Sequence, residues 1–203
     1  MEYKWLNKKE NSKLILFFNG WGMDEGIVEH LEFSDFDVLM FYDYNNLSTN
    51  FDFKELNKYC SKYLVAWSMG VMTATLFSLE YKSATAINGT LKPIDNHFGI
   101  PERIYDLTAK NFSPKGKDIF IKNMFDNIPA KFNIKRSFES QKSELKALKN
   151  YKADLNFLYD KIFISDNDNI IPTKNQKAYW GIEPNIKGGH APFFLFKGWE
   201  DFV

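Results

Sequence analysis

The sequence predicts an α/β fold built on a mostly parallel central sheet. Short apolar runs of about five residues recur along the chain without polar alternation, which is typical of strands buried on both faces. Helical patterns lie between these runs, and Pro172 stands where a helix would begin. Strands that alternate with helices predict right-handed crossovers and a parallel sheet.

The strands and helices of this core can be assigned in chain order. A ragged strand is expected at residues 3–6, ahead of the clearer runs. A helix is expected at 71–80, shortly after the apolar run at 63–67, and another at 176–180, after Pro172. The apolar runs predicted as buried strands cover residues 14–18, 38–42, 63–67, 84–87 and 162–164.

The alternation stops between residues 90 and 160, and this stretch is predicted to be helical. Helices are expected at 100–109, 117–126 and 137–148. We interpret residues 91–150 as an insertion between two strands, so that 1–90 and 151–203 together form the core. Residues 101–150 contain 11 Lys and Arg against 6 Asp and Glu, which makes the insertion basic and the remainder acidic.

Composition excludes several classes of protein. The 203 residues fit one domain of moderate size, and an apolar content of 44% excludes global disorder. The 26 basic residues balance 26 acidic ones, which argues against a surface devoted to nucleic acid. The single cysteine, Cys60, suits a reducing compartment, and no apolar run approaches the roughly 20 residues that a membrane helix needs. We expect a cytoplasmic protein that binds neither nucleic acid nor membrane.

The sequence also predicts no metal and no cofactor. A calcium loop starting at Asp166 would need Gly at position 171 and Glu at 177, where the chain has Ile and Lys. The three histidines and one cysteine lack the spacing of metal ligands. The dinucleotide-binding motif G-x-G-x-x-G is absent: Gly20 and Gly22 match its first two glycines, but Glu25 occupies the position of the third. The sequence also contains no P-loop motif.

The strongest chemical motif is Ala-Trp-Ser-Met-Gly at residues 66–70. It follows a predicted strand and opens a predicted helix, which is the context of a nucleophile elbow, with Ala66 in place of the usual first glycine. Small residues are needed on both sides because the nucleophile sits in a strained turn. Ser68 is therefore the candidate nucleophile, although a serine in a strand-to-helix turn can also serve as a helix cap.

A glycine-bracketed turn, Asn-Gly-Trp-Gly at residues 19–22, follows the first buried strand. Such a turn leaves backbone N–H groups free to face a ligand. In a hydrolase of this architecture, one oxyanion donor comes from this loop and the other from the residue after the nucleophile. The candidates here are the N–H groups of Trp21 and Met69.

The candidate base and acid lie in the second half of the chain. His190 is the candidate base because two glycines and a proline flank it in a loop, whereas His30 suits a surface or capping role and His97 a loop or pocket wall. Asp168 is preferred as the acid because it lies past a strand end, and Asp166 remains the alternative. The order Ser, Asp, His along the chain is that of α/β-hydrolases.

These motifs resemble the pimeloyl-acyl-carrier-protein methyl ester esterases of biotin synthesis, and especially their short BioG-type branch. The resemblance is carried by residues 19–22, 67–70, 168–172 and 189–193, with Asn19 in place of the usual His. It implies a compact α/β-hydrolase in which 91–150 form a helical lid. It further implies that Ser68, His190 and Asp168 hydrolyse the methyl ester of pimeloyl-acyl carrier protein to methanol and a free acid.

The resemblance also implies a partner for the basic insertion. Acyl carrier proteins are strongly acidic, so a basic face could steer and hold one, although lysine-rich helices are as often simply solvated. Two other functions stay open: a general short-acyl carboxylesterase or thioesterase, and a non-catalytic binding protein with a hydrolase fold. The candidate carrier-binding residues are Lys115, Lys117, Lys122, Lys135 and Arg136, with Lys110 and Lys131 nearby in the sequence.

Overall fold

The computed structural model describes residues 1–129 and 132–203, and its centre is a six-stranded sheet. The strand order is β1-β3-β2-β4-β5-β6. Strand β1 pairs antiparallel with β3, and every other pairing is parallel, which confirms the predicted fold class. The strands are β1 (Glu2–Asn7), β2 (Lys13–Phe18), β3 (Phe36–Tyr42), β4 (Ser61–Trp67), β5 (Ser83–Ile87) and β6 (Lys161–Phe163).

Both faces of the sheet are covered, which explains why the central strands lack polar alternation. Along β2, Leu14, Leu16 and Phe18 pack into the core on one face of the sheet. Ile15 and Phe17 pack into the core on the other face. All five side chains are fully buried, so each position in the run must be apolar.

The helix after β4 is shorter than the sequence predicts. Helix α1 covers Gly70–Thr73 and continues as a single 3₁₀ turn, Ala74–Leu76, after which Phe77 is extended. The prediction of a helix to residue 80 is therefore wrong. The hydroxyl of Thr75 donates to the carbonyl of Met72 at 2.8 Å, and such local side-chain bonds compete with continued helix.

Three helices lie between β5 and β6, close to the predicted positions. They are α2 (Glu102–Asn111), α3 (Pro114–Met124) and α4 (Phe138–Leu148). The hydroxyl of Ser113 caps α3 by accepting from Gly116 N at 3.1 Å, and the hydroxyl of Ser137 caps α4 by accepting from Ser140 N at 3.2 Å. The serine caps explain where both helices begin, and α3 therefore starts three residues before the predicted position 117.

The end of the chain packs beneath the second face of the sheet. Helix α5 covers Thr173–Trp180 and ends at Gly181, whose φ of +70° is the left-handed cap that favours glycine. Two 3₁₀ turns follow, Pro192–Leu195 and Trp199–Phe202. The rings of Phe193 and Trp199 lie 5.8 and 5.1 Å from the ring of Phe17, so the segment after His190 is fixed to the core. Within the described ranges, every helix is too short or too polar to cross a membrane.

Candidate active site

Ser68 occupies a strained turn between β4 and α1. Its φ is +57°, a left-handed conformation that side chains rarely adopt, and its backbone N–H donates to the carbonyl of Ile87 at 3.0 Å. A Cβ on Gly70 would lie 2.1 Å from the carbonyl oxygen of Phe18, so no larger residue fits there. This is the backbone geometry that the elbow motif predicts.

Two small residues surround the turn. A Cβ on Gly89 would lie 2.5 Å from the carbonyl oxygen of Ser68, so Gly89 is needed for β5 to end against the elbow. The methyl group of Ala66 is buried in the core between the pairing residues Phe18 and Ala86 of the neighbouring strands. An alanine is therefore accommodated where the motif usually has glycine.

The structure brings Ser68, His190 and Asp168 into one hydrogen-bonded chain. The Nε2 atom of His190 lies 2.8 Å from the Oγ of Ser68, and its Nδ1 lies 2.7 Å from the Oδ2 of Asp168. All three residues are buried. Because a carboxylate only accepts, Nδ1–H donates to Asp168 and leaves Nε2 to accept from the serine hydroxyl.

Asp168 is held from several sides. Its Oδ1 accepts the backbone N–H groups of Ile170 and Ile171 at 2.8 and 3.0 Å. Its Oδ2 accepts the side-chain amide of Gln176 at 2.8 Å, in addition to the imidazole. Each of these hydrogen-bond partners is a donor, and together they fix the carboxylate in place. Gln176 is a site residue that the sequence analysis missed.

The alternative acid, Asp166, lies at the surface. Its carboxylate pairs with the ammonium of Lys187 at 2.7 Å and accepts from Gly188 N at 3.0 Å. The hydrogen bond and charge of Lys187 lower the pKa of Asp166. Asp166 shapes the start of the histidine loop, and its hydrogen bonds do not include His190.

The loop that carries His190, residues 188–191, is held in position by hydrogen bonds to its backbone. The carbonyl of His190 accepts the indole N–H of Trp67 at 2.9 Å and the side-chain amide of Asn88 at 2.9 Å. The next residue, Ala191, donates its N–H to the carbonyl of Met124 at 3.0 Å, at the end of α3. The loop is therefore tied to the elbow strand, to the end of β5 and to a helix of the inserted segment.

Trp21 and Met69 line one cavity together with Ser68 and, within residues 1–129 and 132–203, neither backbone N–H donates to a protein acceptor. Asn19 shapes the loop that carries Trp21, because its side chain accepts from Gly20 N at 2.8 Å and donates to the carbonyl of Asp24 at 3.0 Å. A Cβ on Gly20 would lie 2.7 Å from the indole of Trp67, so glycine lets this loop approach the elbow. Two free donors beside Ser68 are the arrangement that stabilises an oxyanion.

A mostly apolar cavity of about 160 Å³ opens beside Ser68. Helices α2 and α3 and one residue of α4 form most of its wall. The lining side chains include Trp21, Met69, Ile104, Tyr105, Ile119, Phe120, Leu145 and Ile170. Such a wall suits a hydrocarbon chain whose reactive end reaches the serine.

The candidate carrier-binding residues divide into two groups. Lys115 and Lys122 on α3 are exposed, and Lys117 is half-buried on the same helix. Lys135 pairs with Glu25 at 2.9 Å, while its own side chain stays 62% exposed. The side chain of Arg136 is only 5% exposed, and its guanidinium pairs with Asp43 and Glu144. Arg136 was included among the docking residues because it is basic, but its guanidinium lies inside the protein, so we remove it from that group. Lys131 lies outside the described residues.

The remaining histidines have structural surroundings. His30 stacks on Phe194 with ring centroids 4.1 Å apart, and its Nε2 lies 3.0 Å from the carbonyl oxygen of Phe193. His97 is exposed in the loop before α2, where its backbone N–H donates to Asp95. Among the described residues, no group of three or more His, Cys, Asp or Glu side chains is arranged to hold a metal ion.

The family model described as pimeloyl-ACP methyl esterase BioG matches residues 1–202. The chain belongs to this family. The crystal structure of BioG from Haemophilus influenzae is 33% identical in sequence and superposes with a TM-score of 0.88, covering 100% of this chain and 99% of that one. An α/β-hydrolase enzyme from a deep-sea metagenome library superposes with a TM-score of 0.62 at 16% identity, covering 96% and 88% of the two chains, which places the BioG fold among the α/β-hydrolases.

One further relative is a longer protein. A malonyl-[acyl-carrier protein] O-methyltransferase of Bacteroides fragilis is 36% identical over 178 residues. The match covers 82% of this chain but only 36% of that protein. This chain therefore corresponds to about a third of the methyltransferase. By family and fold, the present chain is an α/β-hydrolase with esterase relatives.

Proposed function

We propose that this chain is a serine esterase that hydrolyses the methyl ester of pimeloyl-acyl carrier protein. The observation that carries the proposal is the hydrogen-bonded chain Asp168–His190–Ser68, which ends at an apolar cavity in a member of the BioG family. A carboxylate, an imidazole and a serine in this order can generate a nucleophile at neutral pH. The reaction needs no cofactor.

In the first half of the reaction, the Oγ of Ser68 attacks the ester carbonyl while Nε2 of His190 takes the hydroxyl proton. Asp168 stabilises the imidazolium that forms. The negative charge on the carbonyl oxygen is met by the N–H groups of Trp21 and Met69. When the tetrahedral intermediate collapses, the bond to the methoxy group breaks, and methanol leaves with the proton from His190.

In the second half, water hydrolyses the acyl-enzyme. His190 takes a proton from the water, whose oxygen attacks the acyl carbonyl. The Ser68 ester bond then breaks, and the proton returns to Ser68. The products are the free ω-carboxylate, still attached to its carrier, and the unchanged enzyme. The apolar wall of the cavity suits the methylene chain that lies next to this ester.

The longer relative supports this choice of bond. It is named for the transfer of a methyl group to a malonyl group on acyl carrier protein, and such a transfer produces a carrier-bound methyl ester. Hydrolysis of a methyl ester on a carrier-bound acyl chain removes that group again. The similarity between the two chains is therefore consistent with an ester of a carrier-bound acid as the substrate.

The outer surface near the cavity suits an acidic carrier. Ile104 and Ile119 line the cavity and are also 53% and 51% exposed, so its mouth has apolar lips. Lys115 and Lys122 are exposed on α3, the helix that carries Ile119. Apolar contact surrounded by positive charge would bind and orient an acidic protein. Cys60 is an exposed free thiol, which suits a reducing compartment, and we therefore propose that the reaction takes place in the cytoplasm.

The decisive experiment incubates the purified protein with pimeloyl-acyl carrier protein methyl ester and follows the loss of the methyl group by mass spectrometry. Ser68→Ala and His190→Ala should each lower kcat by about 10⁴-fold or more, and the double variant should be scarcely worse. A fluorophosphonate probe should label wild type at Ser68 and leave Ser68→Ala unlabelled. Both side chains are buried, and the His190 ring packs against Trp67, so the melting temperature of each variant is measured as the control.

Other outcomes point to other functions. Release of the acyl chain from the carrier, rather than of methanol, would make the protein a thioesterase. Equal turnover of unrelated short esters would make it a general carboxylesterase. Absence of both turnover and probe labelling would make it a binding protein, and Ser68→Ala with full activity would remove Ser68 from the mechanism.

A further inference from the structure

Helix α4 carries two buried polar side chains that the proposed reaction does not use. Gln141, Glu144, Leu145 and Leu148 form its buried face, at the spacing of one helical stripe. Two of these four residues are polar, and the Glu144 side chain is completely buried. A buried carboxylate is costly unless donors surround it, so its partners identify what it does.

Glu144 joins three separate segments. Its Oε1 accepts the N–H of Tyr44 at 2.8 Å, and its Oε2 accepts the N–H of Gly22 at 3.0 Å and the guanidinium of Arg136 at 2.6 Å. Burial raises the pKa of Glu144, whereas Arg136 and the two N–H donors oppose that rise. Three donors and no acceptor are the surroundings of an ionised carboxylate.

Gln141 binds the same loop from one helical turn earlier. Its side-chain amide donates to the carbonyl of Gly22 at 2.8 Å. Its backbone carbonyl accepts the indole N–H of Trp21 at 2.8 Å. Together with Glu144, this residue gives α4 three hydrogen bonds to positions 21 and 22, and these bonds flank the backbone N–H of Trp21.

The loop needs such support. Gly22 has a φ of +74°, and the loop is bracketed by two glycines, so its own backbone preferences do not hold it in one conformation. An oxyanion donor is effective only within about 2.7–3.1 Å of the developing charge. A small displacement of Trp21 would therefore weaken the transition state more than it weakens the bound substrate.

We infer that Glu144 and Gln141 are positioning residues that hold the Trp21 N–H in place to stabilise the oxyanion. The inference rests on the proposed function, because it assumes that Ser68 forms a tetrahedral intermediate. Helix α4 of the inserted segment would then help to position an oxyanion donor in addition to lining the cavity.

The experiment compares three variants on one helix. Gln141→Leu removes the amide donor and keeps a similar volume, and Glu144→Gln removes the charge and keeps the shape. Leu148→Ala is the matched control, because Leu148 is equally buried on α4 but does not line the cavity or bind the loop. Each purified variant is assayed well below its melting temperature with a small soluble methyl ester such as dimethyl pimelate.

The positioning role predicts that kcat falls while KM hardly moves. Removing an oxyanion donor costs about 10²–10³ in kcat, so displacing one should cost roughly 10–100-fold in Glu144→Gln and about 10-fold in Gln141→Leu. A trifluoromethyl ketone, which forms an oxyanion on Ser68, should bind more weakly in proportion to the loss of kcat. Leu148→Ala should lower the melting temperature and keep the wild-type kcat.

Two results would contradict the positioning role alone, and two others would contradict the proposed function as well. If Leu148→Ala loses as much kcat as the other two, or if both polar variants keep kcat within about twofold, then α4 contributes only stability. If Glu144→Gln does not fold, Gln141→Leu and the ketone decide the question alone. If wild type itself hydrolyses no methyl ester, or if Ser68→Ala remains active, the proposed function fails and takes this inference with it.

Discussion

The surroundings of Ser68 divide into an inner wall and an outer cover that differ in how firmly they are held. The inner wall consists of helix α4 and four loops, 19–22, 68–70, 165–171 and 188–191. Four side chains of α4 are buried. The outer cover consists of α2 and α3, which each bury one, Tyr105 and Met124. The carboxylates of Glu144 and Asp168 accept backbone N–H groups of the wall loops, whereas the cover presents apolar side chains and lysines to solvent.

The difference separates two tasks within one inserted segment. Helix α4 cannot move without breaking its three bonds to Trp21 and Gly22. Helix α2 is joined to α4 by the hydroxyl of Tyr105, which donates to the carbonyl of Leu145 at 2.6 Å, and by the ion pair of Asp106 with Lys149 at the end of α4. We therefore expect α4 to be held more firmly against the loops around Ser68 than α2 is.

The largest effect is expected from two aspartates that differ in this way. Asp168 is held by four donors in the inner wall, whereas Asp166 is paired with a lysine at the surface. Asp168→Asn should lower kcat by roughly 10²–10⁴-fold, because the imidazole loses its correct tautomer. Asp166→Asn is the matched control and should cost much less. Steady-state kinetics on one ester ranks them, and the reverse ranking would assign the acid to Asp166.

The next effect concerns stability. Leu148 on α4 is fully buried, whereas Leu107 on α2 is 46% exposed. Leu148→Ala should lower the free energy of unfolding by about 2–5 kcal/mol, and Leu107→Ala by no more than about 0.5 kcal/mol. Urea denaturation followed by fluorescence measures both. Similar losses in the two variants would mean that the cover is as firmly packed as the wall.

A smaller effect is expected from the charges of the cover. Lys115→Glu with Lys122→Glu should raise KM for the carrier-bound ester several-fold and leave kcat nearly unchanged, because exposed charges mainly affect encounter. Salt should weaken the wild-type reaction in the same way, since the Debye length falls from about 10 Å at 0.1 M to about 3 Å at 1 M.

Two comparisons control this prediction. Lys54→Glu with Lys58→Glu makes the same change of charge on exposed residues outside the inserted segment and should have little effect. A small free methyl ester has no carrier to steer, so its turnover should respond to neither the variants nor the salt. Equal responses of the two substrates would show that the lysines of α3 are only solvated.

The smallest effect is expected where the inserted segment meets the edge of the sheet. Burial alone would raise the pKa of Glu25, but hydrogen bonds from Lys4 and Lys135 outweigh it and hold the pKa at about 2. A depressed pKa stabilises the fold above the unfolded value near 4.5, and this contribution is lost as the pH falls towards 2. Glu25→Gln should cost about 1 kcal/mol or less at pH 7, and the difference should shrink between pH 4.5 and 2 in denaturation curves. If the difference in unfolding free energy between wild type and Glu25→Gln stays constant across this range, the ion pairs of Glu25 are not its cause.

The sequence was most informative where the cause of a structure is local. Runs of apolar residues predicted the buried strands because both faces of the sheet are covered. The helix predicted at 117–126 begins three residues earlier, at Pro114, because the cap at Ser113 was not considered. The predicted helix at 71–80 was too long because apolar spacing does not register the competing bond of Thr75. The strand-end loops gathered Ser68, His190 and Asp168 as expected, although their catalytic roles remain predictions.

Contacts between distant segments were beyond local patterns. Glu144 binds residues about 100 and 122 positions away, and nothing adjacent to it in the sequence names those partners. A signal was nevertheless present, because Gln141 and Glu144 lie on the same helical stripe as Leu145 and Leu148. Polar residues on a stripe that must be buried need partners, and looking for them would also have placed Arg136 inside the protein.

Under the proposed mechanism, the left-handed backbone at Ser68 makes activity and stability depend on the same residue in opposite ways. A side chain in this conformation costs about 1–2 kcal/mol that glycine does not incur. Part of that gain is offset by the greater freedom of glycine in the unfolded chain. An inactive Ser68→Gly protein should therefore be at least as stable as the working one. A library of variants sorted by heat resistance alone would retain the glycine and discard the nucleophile, so directed evolution of this fold must select for turnover throughout.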